Sequence, residues 1–309
     1  MSRLYERVAL IGLGLIASSM GHAMRRHGLA GHVAGHAKTD ATRAAALEIG
    51  FCQTVHATAA DAVRDADLVV LAVPIGAMGA VAAEIAPYLK PGATVTDVGS
   101  VKQAVIAEVA PHLPATVHFI PGHPMAGTEH SGPYAGFATL FDNRWTILTP
   151  PEGADADAVS RLKALWEAMG AKVATMDAPH HDSVVAVVSH APHLIAYTMV
   201  GVADHLAQVS NSEVIEFSAA GFRDFTRIAA SDPTMWRDVF LSNKEAVLDI
   251  LGRFHEELFV LQRAIRMGDG DHLHDYFTHT RAIRRSIIEA GQDTASPDFG
   301  RGAAPVAKV

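Results

Sequence analysis

Residues 7–17 read RVALIGLGLIA, and this stretch decides the fold. RVALIG (7–12) is a short apolar run ending in glycine, the pattern of a buried strand. GLGLIA (12–17) matches G-x-G-x-x-G/A and opens a helical stretch, 15–27. Each small residue has a physical task. Gly12 permits the tight turn, Gly14 lets a pyrophosphate approach the backbone, and Ala17 keeps the helix close to the strand. Leu15 and Ile16 fill the first turn, whose free N–H groups and dipole hold phosphate. Alone, such a motif is also compatible with a structural glycine turn. Its surroundings favour a dinucleotide site.

Strand and helix signals alternate beyond it. Strands are expected at 31–37, 66–74, 93–100, 116–124, 144–150 and 171–176, and helices at 42–50, 77–89, 102–113 and 155–169. In ADLVVLAVP (66–74), LVVLAV lacks the period-two alternation, as a strand buried on both faces does. Val73 and Pro74 end it at the carboxyl edge, where ligands of open α/β sheets sit. Residues 1–178 are therefore expected to form a Rossmann-type, doubly wound α/β domain.

After 178 the strand signals stop. HDSVVAVVSHAPHLIAYTMVGVADHLA (181–207) reads as a helix that is apolar nearly all round, with Pro192 expected to kink or break it. SDP (231–233) is a helix start, with Ser231 or Asp232 as cap. The helix after it, 234–266, would be about 50 Å long. Another, 271–290, ends at Gly291, and 292–309 reads as a mobile tail. An all-helical domain over 179–291 is too small a cover for so much apolar surface. A homodimer built through these helices is expected.

Composition excludes several classes. With 49% hydrophobic and 19% charged residues, disorder is not expected. A net charge of −8 without a basic run argues against nucleic acid as a partner. The one cysteine, Cys52, allows no disulfide within the chain and fits a reducing cytoplasm. The N-terminus lacks a secretory pattern, and LIAYTMVGVA (194–203) is too short to cross a bilayer, so no membrane role is expected. Among 18 histidines there is no HExxH; His180–His181 and DHLHD (271–275) read as surface or capping residues, and no metal site is expected.

Second-strand chemistry bears on the cofactor. The strand ends GHAKT (35–39), with no acid before Asp40 to bond a ribose. His36 and Lys38 suit a 2′-phosphate, so NADP is expected to be accepted beside NAD.

Four further stretches carry chemistry. DVGSVK (97–102) ends a strand and places Ser100 and Lys102 at the carboxyl edge. GHPMAGTEHSGP (122–133) puts His123, Glu129 and His130 on a loop stiffened by glycine and proline. SHAPH (189–193) sets two histidines in an apolar helix. GFRDFTRIAASDPTMWRDVF (221–240) gathers Arg223, Arg227 and Trp236. Singly, each reads as a polar turn, a core histidine or a surface ion pair. Together they read as an anion pocket.

These motifs together resemble the prephenate/arogenate (cyclohexadienyl) dehydrogenase family over residues 7–290. The resemblance implies a nucleotide-binding domain, a helical dimerisation domain and an active site in the cleft between them. It implies oxidative decarboxylation with hydride transfer to NAD(P), giving 4-hydroxyphenylpyruvate or tyrosine. By resemblance His123 accepts a hydrogen bond or proton from the ring hydroxyl, and Ser100 bonds the same hydroxyl or orients the imidazole. Arg227 matches a carboxylate-binding arginine, His193 and Trp236 line the ring pocket, and Glu129 gates access. Family members strict for NAD carry an acid near position 37, where this chain has Ala37. Two other readings stay open here. A β-hydroxyacid dehydrogenase relies on a helical-domain lysine, for which Lys244 is the candidate. A non-catalytic dinucleotide sensor has no use for His123, Ser100, His193 and Arg227 together.

Overall fold

The computed structural model describes residues 3–128, 130–205 and 218–289. The chain forms two compact units, Met1–Ile250 and Leu251–Val309. In the first, six parallel strands lie in the order β3-β2-β1-β4-β5-β6. They are β1 Tyr5–Ile11, β2 Ala30–His36, β3 Thr54–His56, β4 Leu68–Leu71, β5 Thr94–Asp97 and β6 His118–Phe119. Order reverses beside β1, which makes its carboxyl end the switch point where ligands bind. Of these strands, only the three-residue β3 was unmarked in the sequence.

Side chains of the central strands divide between two cores. Val8, Leu10, Leu68 and Val70 join one, with Met20 and Met24 of α1 (Leu15–His27) and Leu162 and Trp166 of α6 (Ala156–Ala168). Ala9, Ile11, Val69 and Leu71 join the other, with Met78 and Ile85 of α4 (Ile75–Ile85) and Val105 of α5 (Gln103–Val109). Both faces of each strand are dry, which is why LVVL shows no alternation. Two short helices, α2 (Asp40–Ile49) and α3 (Ala59–Ala62), complete the alternating half.

The strand expected at 116–124 is in fact two. The chain leaves β6 at Phe119, passes Pro121, and enters β7 (Gly122–Pro124) in a separate three-stranded sheet. There β7 runs antiparallel to β8 (Trp145–Leu148), and β8 parallel to β9 (Lys172–Thr175). Pro121 has no N–H for a ladder, so the sheet changes where a hydrogen bond would fail.

Past Thr175 the described residues contain no strand. Helix α7 (Ala178–Val185) continues through a π-helical segment, Ala186–His190, into α8 (Ala191–His205). Pro192 does not break it. The wider π turn lies where the proline ring would otherwise press on the carbonyl four residues back. The whole helical run, Ala178–His205, has 28 residues and a most apolar window of mean hydropathy 1.4, long and apolar enough by length and composition to cross a membrane. The length argument made from LIAYTMVGVA alone is thereby overturned, because the flanking residues extend the same helix. Its inward face nevertheless carries His181, Asp182 and His190, all buried.

Next come α9 (Ala220–Thr226), α10 (Pro233–Ser242), α11 (Lys244–Met267) and α12 (Gly270–Glu289). Asp232 is the cap of α10, its carboxylate accepting from the Met235 N–H at 2.8 Å. The single long helix expected over 234–266 is two. Asn243, at φ −117° and ψ 31°, interrupts it. The tail at 292–309, Gly291 and residues 206–207 lie outside the described residues.

Candidate active site

At the carboxyl end of β1 the backbone turns at Gly12, φ +92°. A Cβ built there would lie 2.3 Å from the Ala72 carbonyl oxygen, so no side chain fits. Gly14 caps α1 without any side-chain hydrogen bond, and a Cβ on it would meet nothing within 4 Å. The helix end is thus uncapped and open, as a phosphate cradle requires. Ala17 is buried against the sheet, and Leu15 and Ile16 are half-buried. Val73 and the exposed Pro74 follow β4, with Pro74 capping α4. These residues fit the pyrophosphate of a dinucleotide, which would lie on backbone N–H groups.

His36 ends β2, its Nδ1 donating to the His56 carbonyl at 3.0 Å. Lys38 is exposed beyond it. The nearest acid, Asp40, is ion-paired with Arg43, whose guanidinium also donates to the Ala37 carbonyl.

A second centre forms where β5, β7 and α7 converge. Lys102 is wholly buried, ion-paired with Asp97 and donating to the Gly122 carbonyl at 2.6 Å. Asp97 also accepts from the N–H groups of Gly99 at 2.8 Å and Gly122 at 3.2 Å. The Asp97 carboxylate thereby fixes the strand that carries His123. Burial holds the Lys102 ammonium below its ordinary pKa, against the opposing pull of Asp97.

Asp182, the second carboxylate, accepts from the backbone N–H of Lys102 at 2.8 Å and of Gln103 at 2.9 Å. His181 Nδ1 donates to it at 2.8 Å. Burial pushes this carboxyl up, but the hydrogen bonds from His181, Gln103 and Lys102 outweigh it and keep it below the usual carboxylate range. His181 Nε2 lies 2.8 Å from His123 Nδ1. His123 itself is only 7% exposed. Burial first, then His181, Lys102 and His190, lower its pKa well below 6.5, so the imidazole is neutral at neutral pH.

Asn243 ties the helix break to this cluster. Its amide donates to the Asp182 carbonyl at 2.9 Å and reaches His190 Nδ1 at 3.1 Å. The Ser100 backbone faces His190 and acts to raise its pKa, while the buried His190 Nε2 is left without a well-aligned partner among the described residues. Burial brings its pKa down to about 4. Trp236 packs edge-on to His190 at 6.0 Å and stacks on His193 at 3.7 Å. His193 Nδ1 donates to the Ser189 carbonyl at 2.8 Å, and its pKa is lowered by burial and by the nearby Arg227. The exposed Arg227 sits at the rim of this stack.

The structure therefore brings together His123, Ser100, His193, Trp236 and Arg227. The Ser100 hydroxyl makes no hydrogen bond to His123 in this structure; the imidazole is held at Nδ1 by His181. Glu129 lies outside the described residues. Sequence reading missed Asp97, Asp182 and Asn243, and it misplaced His181. Of the HH pair, His180 is exposed but His181 is fully buried. The helix starting at Asp177 turns the second ring inward, and that face of α7 was the available signal.

Comparison with known proteins gives the lineage. Residues 20–175 match the model of the prephenate dehydrogenase nucleotide-binding domain, and 177–279 that of the prephenate dehydrogenase dimerization domain. Cyclohexadienyl dehydrogenase of Zymomonas mobilis is 40% identical over 283 residues, covering 92% of this chain and 96% of the relative. Prephenate dehydrogenase of Bacillus subtilis is 34% identical over 93% of this chain and 77% of its own length. The crystal structure of prephenate dehydrogenase from A. aeolicus, in complex with hydroxyphenyl propionate and NAD+, superposes with a TM-score of 0.85 at 32% identity, over 93% of this chain and 99% of that one. Two domain models in the right order, and relatives alike over nearly the whole length, are what the glycine turn and the buried histidine cluster lead one to expect: the chain belongs to the prephenate dehydrogenase family.

Proposed function

We propose that this chain catalyses the oxidative decarboxylation of prephenate, arogenate or both, with hydride transfer to NAD(P), in tyrosine biosynthesis. One observation carries the reading: a neutral imidazole, His123, held through its Nδ1 in a hydrogen-bonded buried cluster where β5, β7 and α7 converge. When bound, NAD(P) supplies the hydride acceptor. His123 accepts the ring-hydroxyl proton as the carbonyl forms, which needs a group uncharged at working pH. The ring carboxylate then leaves as CO2, its bonding pair aromatises the ring, and His123 returns the proton to the phenolic oxygen. The proton is borrowed, with none gained or lost overall.

Around that base we assign Ser100 to the same hydroxyl, since His181 already holds the imidazole. Arg227 grips a substrate carboxylate in two bonds. His193 and Trp236, stacked together, form the wall of the ring pocket. Glu129 gates access. Gly12, Gly14, Leu15, Ile16, Ala17, Val73 and Pro74 carry the dinucleotide. His36, Lys38 and Arg43 favour acceptance of a 2′-phosphate, because Asp40, the first acid after β2 in the chain, is engaged by Arg43. Residues 1–178 serve the cofactor, and 179–291 serve substrate and dimerisation. Exposed Leu258, Phe259 and Ile265 on α11, and Phe277 and Ile283 on α12, support a homodimer built through these helices. The lone Cys52 is buried, in keeping with a cytoplasmic enzyme. Lys244, the residue a β-hydroxyacid dehydrogenase would need, is an exposed side chain beside Glu245.

The deciding assay offers prephenate and arogenate, each with NAD and NADP, and follows the reduced cofactor. Turnover of at least one pair is expected, with NADP used. Failure of all four pairs ends the reading, and a KM for NAD far below that for NADP ends the 2′-phosphate preference. Arg227→Ala should raise the substrate KM about 100-fold and leave cofactor KM unchanged.

A further inference from the structure

We propose that His181 and Asp182 act as positioning residues in a three-member proton relay with His123, so that the borrowed proton is shared by two imidazoles. The inference rests on the reading of His123 as the acceptor of the substrate hydroxyl proton. The geometry is continuous: Asp182 Oδ1 to His181 Nδ1 is 2.8 Å, and His181 Nε2 to His123 Nδ1 is 2.8 Å, with the two rings edge-on at 69°. All three side chains are buried.

Hydrogen-bond logic orders the protons. A carboxylate only accepts, so His181 carries its proton on Nδ1. Neutral His181 then has its lone pair on Nε2 and accepts from His123 Nδ1–H. This leaves the lone pair of His123 on Nε2, the nitrogen available to substrate. Charge balance points the same way. Asp97 is committed to Lys102 and to the N–H groups of Gly99 and Gly122, so this pair cancels itself. Among the described residues, Lys102 and His190 face His123, Asp97 faces Lys102, and Asp182 is the carboxylate hydrogen-bonded to the ring pair. Among the described residues, backbone N–H groups, the Gln103 amide and His181 are hydrogen-bonded to its carboxylate. A buried carboxylate so placed is matched to a cation that exists only during turnover.

The step balances. The C–H bond of the hydroxyl-bearing carbon breaks and its electron pair goes to the nicotinamide acceptor. The O–H proton goes to His123 Nε2, the Nδ1 proton of His123 moves to His181 Nε2, and His181 keeps its Nδ1–H bond to Asp182. When CO2 has left with cleavage of the ring C–C bond, the ring oxygen takes a proton from His123 Nε2 and the relay runs back.

The test separates holding the ring from sharing the proton. His181→Gln keeps an acceptor for His123 Nδ1–H and cannot be protonated. We expect kcat to fall about 10- to 100-fold, the cofactor KM to stay within about twofold, and the acid limb of kcat/KM to move down by roughly one pH unit as the shared proton loses its second imidazole. Mere loss of the His181 charge would move that limb up, and this outcome overturns the relay. His181→Phe should fall further. A His181→Gln enzyme with wild-type kcat and wild-type acid limb overturns the relay. Nitrogen-15 NMR of wild-type histidine rings, which needs no variant to fold, should show His123 and His181 both as Nδ1–H tautomers; an Nε2–H tautomer at His123 overturns it. If the wild type turns over neither prephenate nor arogenate, the reaction itself is wrong, while the tautomer measurement still decides the relay.

Discussion

The glycine loop follows β1, the histidine cluster gathers where β5, β7 and α7 converge, and the two are built in opposite ways. The loop offers bare backbone: Gly12 excludes any side chain, and Gly14 leaves open space. The cluster offers side chains whose polar atoms are bonded to one another, with Lys102, Asp97, Asp182 and His181 all buried. A ligand of fixed shape and charge needs room and N–H groups. A proton in transit needs held partners. One end works by absence and the other by saturation, so they should fail differently when altered.

The largest effect is expected at the saturated end. His123→Asn keeps the size and a hydrogen bond but removes the base, so kcat should fall about 100- to 10,000-fold while NAD(P) binding, followed by fluorescence, is retained. Near-normal kcat would break the comparison. Lys102→Met leaves the Asp97 charge buried and unpaired, which should cost about 3–5 kcal/mol in urea unfolding. Little or no loss would mean that the carboxylate is protonated or hydrated. At the bare end, Gly12→Ala should cost about 1–3 kcal/mol through the positive-φ turn, with the clash against the Ala72 carbonyl added to it, and raise the KM for NAD(P), with the base's pH profile unmoved. A shifted profile would mean that the two ends are coupled.

The smallest effect is graded. His123, His190 and His193 all have lowered pKa values in the fold. Above about pH 6.5 each is neutral in both folded and unfolded chains and costs nothing. Below that the unfolded chain binds protons that the fold refuses. Stability should therefore fall with falling pH, by up to about 1.4 kcal/mol per pH unit for each of the buried rings His123 and His190, and by less for the half-exposed His193, whose charge solvent screens. For His190 this continues down to about pH 4. Urea midpoints at pH 7.5, 6 and 5 measure the slope, and His190→Asn should flatten it.

The same contrast explains what the sequence disclosed. The glycine loop is local: six consecutive residues, 12–17, state both turn and purpose. The alternating strands are local as well, and so is the Asp232 cap. The cluster joins positions 97, 102, 123, 181, 182 and 243, whose spacing carries no pattern. His181 looked like half of a polar pair because its burial depends on the angle at which α7 meets β5 and β7. The break at Asn243 was hidden because its neighbours continue the helical periodicity, and the tertiary bonds to Asp182 and His190 outweigh that propensity. The stretches that carry His193, Arg227 and Trp236 stood out by composition, but the roles proposed for these residues came from the motif resemblance alone.

The bond from the Lys102 N–H to Asp182 spans 80 residues, and that from His123 to His181 spans 58. Loops of that length close late, because their entropy is lost before the contacts repay it. The glycine turn needs one such closure, the pairing of β1 with β4 across 60 residues, whereas the cluster needs several at once, reaching as far as Asn243. Time therefore separates the two ends: a refolding chain should recover nucleotide fluorescence before it recovers turnover, and an enzyme caught between those moments would hold its cofactor and do nothing with it.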